Sequence, residues 1–325
     1  MEDRILEVEH LKMYYISRHE TVRAVDDVSF FVRRGETFGI VGESGCGKST
    51  VCKTLVGMQN QKGKILGGSV RYNGQELTGL SERQLRQIRG REIGMIFQDP
   101  MTALNPVTTI RDQMFESLRS QGLSKKQMTE RCIELLRLVE IPDPEKRLHE
   151  YVHQFSGGMR QRAMIAITLA ANPKLLIADE PTTALDVTIQ DQIIRLINQL
   201  RQELGMSVII ITHDLGVINE MCDRVAVMYA GKIVEMTDPD TLFHSPLHPY
   251  TRGLIRSVPS GDGSRKLEPI PGAPPSLAVE RQGCAFYERC PHACDSCLQF
   301  PGELREASPG HFTACSRGAE EGGIA

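Results

Sequence analysis

The feature that most constrains this chain is an eight-residue stretch, Gly42-Glu43-Ser44-Gly45-Cys46-Gly47-Lys48-Ser49, with Thr50 next. It fits the pattern G-x-x-x-x-G-K-[ST]. An apolar run, Thr37–Val41, precedes it, and apolar residues at helical spacing through Thr54 and Leu55 follow it. A strand before and a helix after are the context that gives the pattern a mechanism. Glycines let the backbone curl so that its N–H groups point inward, and the helix N-terminus adds the positive end of its dipole. Such a loop is suited to phosphate oxygens. Lys48 is expected to reach the β- and γ-phosphates of a nucleotide, with the Ser49 hydroxyl on Mg²⁺. The competing reading, a glycine-rich turn with an incidental lysine, does not account for the full match in this context.

A second element pairs with the first. Leu175-Leu176-Ile177-Ala178-Asp179-Glu180 is an apolar strand that ends in two acids. In open α/β sheets, the carboxyl ends of the strands face the ligand. Asp179 is expected to hold Mg²⁺ through its water shell, and Glu180 to polarise an attacking water. Alone, an acid pair after a buried strand could simply begin a loop.

The rest of the chain supplies the frame. Residues 5–41 alternate apolar and polar positions, as short strands do. Gly68–Gly74 reads as a strand closing on an Asn-Gly turn, and Ile93–Phe97 as a buried strand. From about Thr108 to Ala171 the pattern is helical, with Lys125–Val139 and Met159–Ala171 the clearest helices. Strand signals return at Leu175–Ala178, Val208–Ile211 and Val225–Met228, separated by helical patterns at Ile189–Leu204 and Leu215–Met221. This alternation implies an α/β fold with a parallel sheet, interrupted by a helical insert. After about Ser245, prolines such as Pro259, Pro269, Pro271, Pro274 and Pro275 crowd the chain, and a linker or wrapped extension with little regular structure is expected. A formal net charge of −3 argues against a nucleic-acid surface. No stretch reaches the ~20 apolar residues of a membrane helix. The start, Met1-Glu2-Asp3-Arg4, lacks a signal-peptide core, so a cytosolic chain is expected, with any membrane role supplied by a partner.

Further motifs join these two in one order. Phe155-Ser156-Gly157-Gly158-Met159-Arg160-Gln161-Arg162 resembles the signature of ATP-binding cassette proteins. Gln98 in Phe97-Gln98-Asp99-Pro100 is similar to the family's Q-loop, Ala184-Leu185-Asp186 to its D-loop and His213 to its switch histidine. Tyr15 matches the aromatic that stacks on adenine, with Tyr14 as the alternative. Each has a bland reading: Gln98 as a loop polar residue, His213 as a satisfied histidine, Tyr15 as core, Ser-Gly-Gly as an ordinary helix cap. Their joint order carries the resemblance, over about residues 5–245.

The resemblance implies a P-loop NTPase cassette: a parallel sheet core with an N-terminal antiparallel β subdomain and a helical insert, plus a C-terminal cysteine-rich extension. The implied domains are a core at 1–107 and 172–245, a helical signature subdomain at 108–171 and the extension at 246–325. It implies hydrolysis of ATP to ADP and phosphate, with Glu180, His213 and Gln98 catalytic. ATP would be bound by Tyr15 and Gly42–Thr50, and in trans by Ser156, Gly157, Gly158 and Asp186. Ser49, Gln98 and Asp179 would serve Mg²⁺. It further implies a peripheral subunit on the cytoplasmic face of the membrane. A soluble, non-transport cassette ATPase stands as an alternative, as does a P-loop kinase or GTPase. The latter leaves Ser156-Gly157-Gly158 and His213 unexplained.

Within the family, the Met159 signature, Thr182–Gln190, Phe97–Pro106 and His248-Pro249-Tyr250-Thr251 resemble the D-type subunit of dipeptide/oligopeptide importers. That implies a heterodimer with a second related cassette, two transmembrane permease subunits and an extracytoplasmic solute-binding protein. Nickel chelates, glutathione or glycosides are alternative solutes. Five of the nine cysteines lie between Cys284 and Cys315. Cys284-x5-Cys290-x6-Cys297, then Cys315 after 17 residues, resembles the C-terminal extension of those importers. Four thiolates can hold a [4Fe–4S] cluster or zinc, and the resemblance favours iron–sulfur. Cys294 falls outside the four-ligand pattern.

Overall fold

The computed structural model describes residues 3–183, 186–258, 268–300 and 302–318. They form two compact units: residues 1–79 with 211–325, and residues 80–210. Pro259 lies outside the described residues.

The first unit begins with β1 (Arg4–Ile16), β2 (Thr21–Arg33), β3 (Thr37–Val41), α1 (Lys48–Leu55), β4 (Gly63–Tyr72) and β5 (Gln75–Glu76). An antiparallel sheet runs in the order β2-β1-β4-β5. In β1, Leu6 and Val8 are buried, and so are Leu11 and Met13. These pairs are out of phase for a strand of period two. A bulge between Val8 and Leu11, with His10 left-handed at φ 48°, restores the phase and keeps all four on one face. The expected Asn73-Gly74 turn closes β4 onto β5, with both residues at positive φ as such hairpins require.

The second unit contains α2 (Glu82–Ile88), β6 (Ile93–Ile96), α3 (Pro100–Ala103), α4 (Ile110–Leu118), α5 (Lys125–Leu138), α6 (Pro144–Arg147), α7 (Gly157–Leu169), β7 (Leu175–Asp179) and α8 (Val187–Leu204). β6 and β7 pair in parallel. The helical stretch 108–171 lies within this unit, beside β6, β7 and α8. Helix α7 buries nearly every side, including two polar residues. Gln161 donates to the Pro181 carbonyl at 2.5 Å, and Arg162 donates to the Val139 carbonyl at 2.7 Å and to Glu140 at 2.8 Å. These bonds satisfy groups that burial would otherwise penalise.

The chain leaves the second unit along β8 (Ser207–Thr212). It continues through α9 (Leu215–Met221), β9 (Arg224–Tyr229), β10 (Lys232–Thr237), α10 (Pro239–His244), α11 (Pro249–Arg256), α12 (Ser296–Gln299), β11 (Arg305–Ser308) and β12 (His311–Thr313). β3, buried throughout, pairs in parallel with β9. β10 pairs antiparallel with β9, β12 with β10, and β11 with β12.

The extension therefore holds more regular structure than its composition suggests. Arg305–Ser308 and His311–Thr313 are too short and polar to read as strands, yet they complete the edge of β10. An unpaired edge would leave a row of backbone groups open. Phe286 and Ala314 of the extension share a core with Val41, Val227, Tyr229 and Tyr250. The rings of Tyr229, Tyr250 and Phe286 meet with centroids 4.5–5.5 Å apart. The wholly buried carboxylate of Glu235 accepts from the N–H of Leu247 (2.7 Å) and of His248 (2.9 Å), and from His311 Nε2 (2.7 Å). Three donors from two parts of the extension thus converge on one residue of β10. Among the described residues, no helix is long and apolar enough to cross a membrane.

Candidate functional site

In the first unit, the turn from β3 into α1 carries the phosphate-loop sequence. Gly47, the N-cap of α1, is left-handed at φ 109°, and a Cβ there would lie 2.1 Å from the Ala24 carbonyl oxygen. Only glycine fits. Lys48 is 4% exposed. Its Nζ donates to the carbonyls of Gly42 (2.8 Å) and Glu43 (3.0 Å), so the loop itself holds the ammonium in place. Ser49 and Thr50 follow in the first turn of α1. Burial pushes the Cys46 thiol up, so it stays a neutral packing group.

The two candidate aromatics of β1 are separated by their partners. Tyr14 donates to Asp26 Oδ1 at 2.6 Å, and burial with that carboxylate raises its hydroxyl to about 12. The Tyr15 hydroxyl lies 3.5 Å from Thr50 Oγ1, against the helix that opens at Lys48. Tyr15 is therefore the one brought to the loop. His213 is exposed at the end of β8, and Asp214 caps α9 by accepting from Gly216 N at 2.7 Å.

In the second unit, Asp179 ends β7 at 2% exposure. Glu180 follows with a left-handed backbone, φ 47°, an uncommon state for a residue with a side chain and one that concentrates at functional positions. Its Oε2 accepts from Gln98 Nε2 at 3.2 Å and from Thr183 Oγ1 at 2.8 Å. Gln98 and Glu180, 82 positions apart in the chain, are thus brought into contact. Ser156 caps α7, accepting from Met159 N at 3.3 Å, and Ser156 and Gly157 are exposed. The expected helix opens two residues early, at Gly157. That turn presents backbone N–H groups at a helix N-terminus, the arrangement that attracts anions. Asp186 caps α8 by accepting from Ile189 N at 3.0 Å, while Ala184 and Leu185 lie outside the described residues.

Cys284, Cys290, Cys297 and Cys315 wall one cavity of about 20 Å³, together with His248 and His292. Burial pushes Cys284 up to about 11 and raises Cys290 and Cys297. Cys294, outside the expected four, lies 3.4 Å from Cys297 Sγ. The expected four-cysteine set is gathered, but among the described residues no three or more His, Cys, Asp or Glu side chains stand as a ready-made metal site.

Sequence motifs assign no site role to two residues beside the loop: Tyr250, named only within His248-Pro249-Tyr250-Thr251, and Arg289. Tyr250 Oη accepts from Glu43 N at 2.9 Å, and Arg289 donates to the Glu43 carboxylate. Neither contact is signalled locally, since each residue reaches the loop only through the folded extension, 207 and 246 positions away in the chain.

A G-x-x-x-x-G-K-[ST] loop set between a buried strand and the helix that opens at Lys48 marks a P-loop nucleotide-binding protein. Residues 25–183 match the ABC transporter family, and residues 234–297 match the C-terminal region of oligopeptide/dipeptide transporters. The chain is 51% identical to the probable peptide ABC transporter ATP-binding protein y4tR of Sinorhizobium fredii, over 98% of this chain and 96% of that one. It is 47% identical to the oligopeptide transport ATP-binding protein OppD of Salmonella typhimurium, over 98% and 95%. Among solved structures it resembles the ATP-binding cassette MJ0796, a dimer in a post-hydrolysis state with ADP and Pi. There the TM-score is 0.65 and the identity 27%, over 72% of this chain and 98% of that one. The chain belongs to the ABC transporter family, as an ATP-hydrolysing subunit close to those of oligopeptide and dipeptide transporters.

The separation of the two tyrosines gives a direct expectation. Tyr15→Ala should weaken MgATP binding about tenfold, the worth of a lost ring stack. Tyr14→Phe should leave it within about twofold. Titration calorimetry on the two variants reads the difference, and the reverse pattern would assign adenine to Tyr14.

Proposed function

We propose that this chain is the energy-coupling subunit of a peptide importer, working at the cytoplasmic face of the membrane as a heterodimer with a second related cassette. Two permease subunits and an extracytoplasmic binding protein complete the assembly. The observation that carries this reading is the similarity over 98% of the chain to peptide-transport ATP-binding proteins, the C-terminal region included.

In this reading Lys48 and the Gly42–Ser49 backbone hold the β- and γ-phosphates, and Tyr15 stacks on adenine. Ser49, Gln98 and Asp179 serve Mg²⁺. Glu180 takes a proton from water as the water oxygen attacks the γ-phosphorus, and ADP leaves with the bridging oxygen. The 3.2 Å bond from Gln98 supports that role, because it aims the carboxylate. His213 contacts the γ-phosphate. Ser156–Gly158 and Asp186 serve the nucleotide of the partner cassette. Residues 108–171 act as the signature subdomain, on the core of 1–107 and 172–245. Binding of ATP closes the pair and phosphate release reopens it, a ligand acting through its different affinity for two states.

The extension, 246–325, is assigned a [4Fe–4S] cluster on Cys284, Cys290, Cys297 and Cys315, with zinc as the alternative. A gathered all-sulfur donor set is what either group accepts. When bound, the cluster supplies a covalent crosslink among these four positions. The cysteines' own part would be to release their protons and ligate the group as thiolates.

Two measurements test this. Glu180→Gln should retain ATP while turnover falls about a thousandfold; near-wild-type hydrolysis would remove Glu180 from the role. Anaerobically purified protein should be brown and absorb near 400 nm, and Cys290→Ser should bleach it; a colourless wild type with one equivalent of zinc would assign the site to zinc.

A further inference from the structure

The Glu43 carboxylate sits in the loop that is to receive a triphosphate, and it carries the same sign of charge. The structure disposes of that charge in a specific way. Arg289 Nη1 donates to Glu43 Oε2 at 2.8 Å, and Nη2 donates to Oε1 at 3.0 Å. This is a parallel two-bond clamp, the strongest arrangement an arginine and a carboxylate can form. The guanidinium is nearly buried, its side chain 5% exposed. Its remaining N–H groups are also engaged: Nη1 with Tyr229 Oη at 3.3 Å, Nε with the Pro271 carbonyl at 2.9 Å, and Nη2 with the Ile270 carbonyl at 3.5 Å. All five donors of the fork have acceptors, so its position is determined. The same loop residue is gripped at its backbone, where Glu43 N–H donates to Tyr250 Oη. Its carbonyl in turn accepts from Lys48. Arg289 immediately precedes Cys290, a wall of the cysteine cavity.

We propose that Arg289 is a positioning residue for the nucleotide site: it neutralises Glu43 and fixes the first turn of the phosphate loop, tying that loop to the cysteine-bearing extension. This rests on Gly42–Thr50 being the phosphate loop. Loss of Arg289 leaves a carboxylate uncompensated beside the phosphates, so binding suffers while the hydrolytic groups, Gln98 and Glu180, are untouched. The Lys48 ammonium then has a free carboxylate as a competitor for phosphate.

The test uses the full chain and MgATP, comparing wild type with Arg289→Ala, Arg289→Lys and the double variant Arg289→Ala/Glu43→Gln. Arg289→Ala should raise the ATP Kd and KM about tenfold, with kcat at saturating ATP within about twofold, because the part-buried Glu43 carboxylate loses its partner. Adding Glu43→Gln should bring Kd back to within about threefold of wild type, since the offending charge is gone. Arg289→Lys, which keeps the charge but not the fork, should show about a threefold rise with an unchanged unfolding midpoint. An unaltered Kd in Arg289→Ala would overturn the proposal, and so would a loss that the double variant does not recover. Should Arg289→Ala fail to fold, a wild-type Kd in Arg289→Lys overturns it. Wild type that binds no ATP would instead sink the phosphate-loop reading itself.

Discussion

The backbone at Gly42 and Gly47 is the constraint on which the nucleotide site depends. A Cβ at Gly42 would fall 2.2 Å from the Met228 carbonyl oxygen, and one at Gly47 would fall 2.1 Å from that of Ala24. Both obstacles are main chain, so no rotamer change could make room. The carbonyls belong to β9 and β2, the first of which is held by its parallel pairing with β3. The loop is therefore squeezed between two strands and can turn only where side chains are absent. That squeeze places Lys48 at the start of α1 and lets the ammonium fold back over the loop's own carbonyls. The result is a preorganised anion site whose walls are backbone rather than mobile side chains.

The cysteine-bearing extension is not an appendage to this arrangement. Tyr250 and Phe286 pack on Tyr229, Glu235 collects two donors from the turn between α10 and α11 and one from β12, and β12 closes the sheet edge at β10. A fully buried carboxylate is tolerated because three hydrogen bonds satisfy it. The aromatic trio adds apolar burial beyond what the sparse composition of the extension promises. Arg289, which touches the phosphate loop, immediately precedes Cys290, a wall of the thiol cavity.

Much of this is local and hence visible in the chain. The glycine-lysine loop, the strand ending in Asp179-Glu180, the Asn73-Gly74 turn and the Ser156 and Asp186 caps are each written within a few residues. α9 is found over the expected residues, and α5 and α8 within two of theirs. Other features are invisible for a physical reason. The pairing of Arg289 with Glu43 spans 246 positions, and that of Glu235 with His311 spans 76. No spacing rule reaches that far. The bulge at His10 hides in a strand whose alternation breaks phase, and only the pairing register explains it. β11 and β12 lack the apolar alternation that announces a strand: β11 is mostly exposed, and the positions β12 buries are the polar His311 and Thr313. The choice between Tyr14 and Tyr15 likewise needs the partners, Asp26 for one and Thr50 for the other.

The most direct test of a loop built for a phosphate chain is calorimetric titration of the purified, full-length protein with MgATP, MgADP and AMP. One MgATP per chain should bind, MgADP should retain most of that affinity, and AMP should be at least about a hundredfold weaker, because the charge-assisted bonds are made to the β- and γ-phosphates. Equal affinity for AMP and MgATP, or no binding of MgATP in the presence of magnesium, would contradict the account.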